Sequence, residues 1–407
     1  MRPGRLGELL PLELPVVQGP FGGGLSSVEL AVAVSEGGGL GSYGAHVLSP
    51  VAITTLVARL KAATDRPFAV NLWVPQEGED VTPVDLTAHV ERLRPYYDEL
   101  GVPAPTAAEA AARPDFDAQL DALLAAAPPA VSLVMGLPPR RLAAEARRRG
   151  IVLIGTATTV AEAVALEAAG VHAVVASGSD AGGHRGAFLR PVRESLVGTF
   201  SLVPQVADAV AVPVIAAGGI ADGRGVAAAL ALGADAVQIG TGFLATRESG
   251  ASPVHRRALG TPEAGTTVLT RLFSGRTARG IPNRFVRDMA AHEEHVPPYP
   301  LQNALMQPIR RAAAEQERPE YVNLWAGQAA ALSRPGVPAA EYLAALAADA
   351  DARTGGAACA AMATTTAPTP ETAPIPADGP GPAPTPAPTP GPTPAPALGP
   401  TPAKAAG

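Results

Sequence analysis

Between Pro15 and Ile239 a short, unbroken apolar run occurs eight times, and six stretches with helical spacing alternate with these runs. The runs lie at 15–18, 40–42, 68–73, 130–134, 151–154, 173–176, 212–216 and 236–239. Helical spacing falls at 28–35, 50–62, 116–127, 160–169, 202–210 and 225–232. The runs are continuous rather than alternating, as expected of strands buried on both faces of a parallel sheet. Eight βα units in about 230 residues predict an α/β fold, a (β/α)8 TIM barrel, with an open doubly wound sheet as the competing architecture.

The remaining segments predict decorations on a barrel domain spanning 1–255. The polar stretch 75–115 is too long for an ordinary connection and is expected to be a helical insertion. Residues 256–355 add a C-terminal helical extension, with helices at 301–314 and 338–350, expected to pack over the barrel mouth. From 364 to 407 the chain is almost wholly Pro, Ala, Thr and Gly. Such a composition buries nothing and predicts a disordered tail.

Composition excludes several chemistries. Of 407 residues 47% are hydrophobic, enough to fill a large core. A lone Cys359 rules out a disulfide scaffold or a thiolate metal cage. The net charge of −6 without a basic cluster argues against nucleic acid as a partner. No uncharged apolar run reaches the roughly 18 residues of a membrane span, and Glu8, Pro11, Glu13 and Pro15 interrupt any signal-peptide core, so a cytoplasmic protein is expected. The only lysines are Lys61, on a helix surface, and Lys404, in the tail. Neither suits Schiff-base chemistry, which needs a desolvated amine.

Active sites of such barrels lie at the C-terminal strand ends. After the seventh strand comes Ala216-Ala-Gly218-Gly219-Ile220, and after the eighth Gln238-Ile239-Gly240-Thr241-Gly242. Glycines before a helix N-terminus let backbone N–H groups approach an anion, and these two loops are where barrels usually hold phosphate; the plain alternative is tight turns. After the sixth strand, Ser177-Gly-Ser-Asp180-Ala-Gly182-Gly-His184-Arg-Gly places an imidazole where it can serve as acid or base. Asp180 either orients that imidazole or caps a turn. Asn71, in an apolar run at the end of the third strand, must find a partner or read a polar ligand; Gln18, at the end of the first, carries the same argument. His46 is a candidate for the lining, and Phe21, Tyr43 and Trp73 are apolar walls or core. His172 begins a strand at the wrong end. His292-Glu-Glu-His295 lacks a third ligand and reads as a solvated loop, so no metal site is expected. Gly39-Leu-Gly-Ser-Tyr-Gly44 matches a dinucleotide fingerprint but does not follow a strand, so it fails the context that motif requires.

Taken in order, several segments resemble the nitronate monooxygenase (2-nitropropane dioxygenase) family of FMN-dependent TIM-barrel flavoproteins. They are the Gln-x-Pro-x-x-Gly-Gly opening from Gln18 to Gly24, Asn71-Leu-Trp73, Ala181-Gly-Gly-His-Arg-Gly186, Ala216-Ala-Gly-Gly-Ile220, Gln238-Ile-Gly-Thr241 and Phe273-Ser-Gly-Arg-Thr-Ala-Arg279. The resemblance runs from Pro15 to about Gln328. It implies FMN held by Asn71, Gly182, Gly219, Gln238, Ile239, Gly240 and Thr241, with Gln18, Gly218 and Ser177 in the same lining. It implies that His184 is a base beside the flavin, and that alkyl nitronates or nitroalkanes are oxidised by O2 to a carbonyl compound and nitrite. Two residues depart from the family pattern: Ser177 stands where a glutamine usually contacts the flavin, and Asp180 replaces a glutamate. Three other functions remain open on these residues: a flavin-dependent NAD(P)H reductase of the enoyl-ACP reductase II type, a phosphate-binding barrel isomerase or lyase without flavin, and a non-catalytic flavin or anion binder.

Overall fold

The computed structural model describes residues 3–76, 79, 85–106, 109 and 114–363, the last nine of these by backbone alone. Eight parallel strands form the expected barrel: β1 (Val16–Gln18), β2 (Gly41–Gly44), β3 (Phe68–Trp73), β4 (Ala130–Val134), β5 (Val152–Ala157), β6 (Ala173–Ser177), then, after a short outer strand β7 (Gly183–His184), β8 (Val214–Ala217) and β9 (Ala236–Ile239). They pair in the order β1-β9-β8-β6-β5-β4-β3-β2. The ring closes where Val17 bridges Leu40, with Gln18 N donating to Leu40 O and Leu40 N to Val16 O, each at 2.9 Å.

Period-two alternation sorts every strand into an inner and an outer set. Val17, Ala69, Ala130, Ile154, Val175, Ile215 and Ala236 form one buried cluster inside the barrel, joined by Leu6, Leu10 and Leu12 of the N-terminal segment. Val16, Val70, Val131, Leu153, Val174, Val214 and Val237 pack outward against the helices. Two residues beyond the inner apolar layer the same parity places Asn71, Ser132, Thr156, Ser177, Ala217 and Gln238. The parallel register aligns them across neighbours, as in Asn71 opposite Ser132 and Ser177–Ala217–Gln238 in one row.

Residues beyond the eighth barrel strand take two directions. Helix 301–315 and the insertion helix 87–100 share a second hydrophobic core with the segment 244–330, and Tyr97 OH donates to Leu305 O at 2.6 Å. A small antiparallel sheet joins them to the barrel: β10 (Val268–Thr270) pairs with β11 (Ala278–Gly280), which pairs with β7. Helix 339–363, expected over the mouth, goes elsewhere. Tyr342, Leu343, Leu346 and Ala350 belong to the barrel core. Leu343 packs on Gly37 and Ala350 on Gly223, so this helix lies between helices 28–36 and 223–231. It supplies the outer helix that β9 lacks, because only the four-residue helix 241–244 follows that strand directly. Its apolar face is therefore used up on the barrel and not on the mouth. Residues 364–407, the expected disordered tail, lie outside the described residues. Among the described residues no helix is long and apolar enough to cross a membrane.

Where β2 meets helix 28–36 no side chain fits. A Cβ on Gly41 would lie 1.9 Å from the Ala31 carbonyl oxygen and 2.7 Å from Ser35 Oγ. Gly41→Ala is expected to lower stability by about 3 kcal/mol through this overpacking, read as a drop in urea midpoint at unchanged m-value.

Candidate active site

Asn71, Thr156, Ser177, Ala217 and Gln238 of this inner layer form the floor of a cavity of about 650 Å³ at the C-terminal strand ends. Of the residues expected to line it, Asn71, Ser177, Gly182, His184, Gly218, Gly219, Gln238, Gly240 and Thr241 all do. Gln18 and Ile239 do not. Strand parity turns Ile239 outward into the helix layer. Gln18 is fully buried, its Oε1 accepting from Ser42 N at 2.9 Å and its Nε2 donating to Gly19 O at 2.5 Å, so its amide ties β1 to β2.

Asn71 divides its amide between protein and cavity. Its Nδ2 donates to Ser132 O at 3.2 Å and to Ser132 Oγ at 3.0 Å, which leaves the carbonyl oxygen for a ligand. The two glycine loops are built differently. Gly218 and Gly219 take φ of +112° and +68°, backbone that only glycine adopts readily. The helix that follows them is already capped: Asp222 accepts from Arg224 N and Gly225 N. After β9, no side chain caps helix 241–244, whose first residues face the cavity. An anion therefore has a backbone cradle at Gly218–Gly219 and at Gly240–Thr241, but not on the Asp222-capped helix. Asp180 is not in the lining; its Oδ2 accepts from Thr199 N at 2.6 Å at the start of helix 199–209.

His184 reaches the cavity from β7. Trp73 and Trp325 meet its ring edge-on, with centroids 4.9 and 5.3 Å away, and its Nε2 lies 2.8 Å from Ser274 Oγ. Burial, reinforced by the charges of Arg276, His46 and Arg310, holds its proton affinity well below the ordinary histidine value. His46, also on the wall, stacks on Trp73 at 3.7 Å and 4°, its Nδ1 unpartnered; burial and Arg276 push it down to about 3. Both imidazoles are neutral at pH 7. Phe21 and Trp73 line the cavity, whereas Tyr43 packs against the core. His172 Nδ1 accepts from Leu153 N, and among the described residues no cluster suits a metal ion.

Sequence reasoning missed the far wall: Tyr299, Asn303, Arg310 and Trp325 come from the extension, and His255 immediately precedes it. Arg310 donates to Asn303 O and Oδ1, each at 3.0 Å, and burial lowers it to about 10. Among the described residues no Asp or Glu lines the cavity. His255 Nε2 lies 3.0 Å from Trp325 O, and burial pushes this histidine down to about 4. No spacing links these positions to the strand ends; only the folded extension brings them there.

Residues 4–349 match the family model for nitronate monooxygenase. A probable nitronate monooxygenase of Staphylococcus aureus (strain Newman) is 39% identical over 330 residues, 81% of this chain and 92% of the relative. The crystal structure of nitroalkane oxidase from Streptomyces ansochromogenes superposes with a TM-score of 0.78 at 40% identity, covering 86% of this chain and 99% of that one. FabK from Thermotoga maritima gives 0.68 at 30% identity, covering 88% and 99%.

The buried histidines set a pH limit on stability. His46 and His255 bind protons less readily folded than unfolded, so their contribution is complete above about pH 6.5 and is lost as pH falls toward about 4. Each is expected to add about 1.4 kcal/mol per pH unit to the slope across that window. Urea unfolding at a series of pH values checks this, and His255→Gln should make the slope shallower by about that amount.

Proposed function

The chain belongs to the nitronate monooxygenase family, and on that premise we propose that it is an FMN-dependent oxidoreductase that oxidises alkyl nitronates and nitroalkanes with O2 to a carbonyl compound and nitrite. FMN, when bound, supplies the redox chemistry, taking electrons from the nitronate and delivering them to O2. The chain's own part is binding, orientation and proton handling. Gly218–Gly219 and Gly240–Thr241 would hold the phosphate on their backbone, and the Asn71 side-chain oxygen with the side chains of Gln238 and Ser177 would contact the ring from the floor. Ser177 is shorter than the glutamine usual there, which leaves room for a water or a larger substrate beside the ring.

The observation that carries this reading is a wall that, among the described residues, holds imidazoles and the Arg310 and Arg311 guanidiniums but no carboxylate. A cation held without an acidic partner favours an anionic ligand, and a nitronate is an anion. His184, neutral and partly exposed to the cavity, is suited to take the α-proton of a neutral nitroalkane, a step that a preformed nitronate does not need. Trp73, Trp325 and Tyr299 surround the reacting region with apolar surface and limit water there.

An absorbance spectrum tests the reading first. Anaerobic nitronate should bleach the visible flavin bands, with NADH and NADPH leaving them unchanged; bleaching by NAD(P)H alone would favour the reductase, a reading the likeness to FabK keeps in play. His184→Asn should retain FMN yet lose roughly 10²–10⁴-fold in turnover of neutral nitroalkane, with much smaller loss on preformed nitronate. Equal losses on the two substrates would remove the base role. Because its proton affinity is depressed, His184 stays in the basic form as pH falls below 6.5, so turnover of nitroalkane should not decline between pH 7.5 and 6.5.

A further inference from the structure

The segment Phe273-Ser-Gly-Arg-Thr-Ala-Arg279 grips His184 twice. Through the backbone, Ala278 pairs with His184 and Arg279 with Gly183 in the antiparallel β11–β7 ladder. Through a side chain, Ser274 Oγ lies 2.8 Å from His184 Nε2. Gly275 makes this turn possible: its φ is +83°, and a Cβ there would lie 2.5 Å from Pro297 O and Tyr299 N. The turn folds the Ser274 hydroxyl back on its own loop, where it accepts from Arg276 N at 3.3 Å and donates to Arg276 O at 3.1 Å.

That second bond bears on the proton of the imidazole. A carbonyl oxygen only accepts, so the bond to Arg276 O uses the single hydroxyl proton of Ser274. A hydroxyl engaged in this way presents a lone pair toward His184, which makes Nε2 the donor. A neutral imidazole protonated at one nitrogen is basic at the other. We propose that Ser274 is a positioning residue that fixes His184 in the Nε2–H tautomer and so presents Nδ1 as the atom that takes the substrate proton. This rests on the reading of His184 as the base. The charged and titratable groups around the ring are Arg276 from the same loop, His46 from beyond β2 and Arg310 from helix 301–315. They disfavour the imidazolium but do not distinguish its two neutral tautomers; the Ser274 hydroxyl does.

The test uses the full-length, FMN-loaded protein with 15N-labelled histidine, His184→Asn identifying the His184 resonances. Wild type should show a protonated Nε2 and a bare Nδ1. In Ser274→Ala those signals should move toward the average of two exchanging tautomers, and turnover of neutral nitroalkane should fall roughly tenfold or more, with preformed nitronate much less affected. Ser274→Thr keeps the hydroxyl and should restore both the spectrum and the turnover; flavin content per chain verifies that each variant folds. A protonated Nδ1 in wild type, or an unchanged tautomer in Ser274→Ala, overturns the proposal and leaves the base reading standing. If Ser274→Ala frees the tautomer while His184→Asn still turns over nitroalkane, Ser274 positions the ring and it is the base reading that fails.

Discussion

The parallel register of the barrel strands is the constraint on which the site depends. Alternate residues point inward, and each inner column is apolar until its last member. At that level Asn71, Ser132, Thr156, Ser177 and Gln238 arrive together, because each stands two residues beyond a buried Ala, Ile or Val of the inner cluster. A one-residue slip in any strand would turn its polar member into the helix layer and leave an unpaired group there. Floor and core are thus specified by one pattern.

Above that floor the structure relies on a second core. The insertion helix 87–100, helix 301–315 and the β10–β11 hairpin pack on one another, and their shared surface carries Tyr299, Arg310 and Trp325 to the mouth. β11 also reaches across to β7, so the turn bearing His184 belongs by hydrogen bonding to the extension as much as to the barrel. From the barrel side, Arg185 donates to Ser177 O and Gly178 O and fixes the end of β6. The imidazole is set between two independently packed bodies of side chains, and its geometry depends on both.

Electrostatically the cavity is one-sided. Its wall carries the Arg310 and Arg311 guanidiniums with no carboxylate among the described residues, and desolvation lowers the proton affinity of its histidines. Such a wall costs stability in the empty protein, and an anionic ligand offsets part of that cost. Stability given up around a binding site is a common trade for function.

Much of this was legible in the chain. Continuous β-branched runs at regular spacing determine eight strands and their parallel pairing, since only strands buried on both faces read that way. Glycine pairs and a histidine at strand ends mark the floor and one reactive group, because glycine alone adopts the positive-φ turns readily and imidazole titrates near neutral pH. The outward turn of Ile239 was also legible, as it follows from Gln238 by strand parity, yet similarity of motif alone placed both in the lining. Gln18 was not: whether a buried amide reads a ligand or a neighbouring strand depends on which backbone N–H comes within reach, and that was Ser42. The extension was the least legible part. Its helices are amphipathic in sequence, but an apolar face does not name what it covers; helix 339–363 found the gap beside β9, while helix 301–315 found the mouth. The sequence by itself determined the eight βα units, the glycine loops and the place of the imidazole at a strand end. Tertiary structure alone decided the far wall, the buried Arg310 and the Ser274 contact, because these arise between segments distant along the chain whose meeting no local pattern encodes.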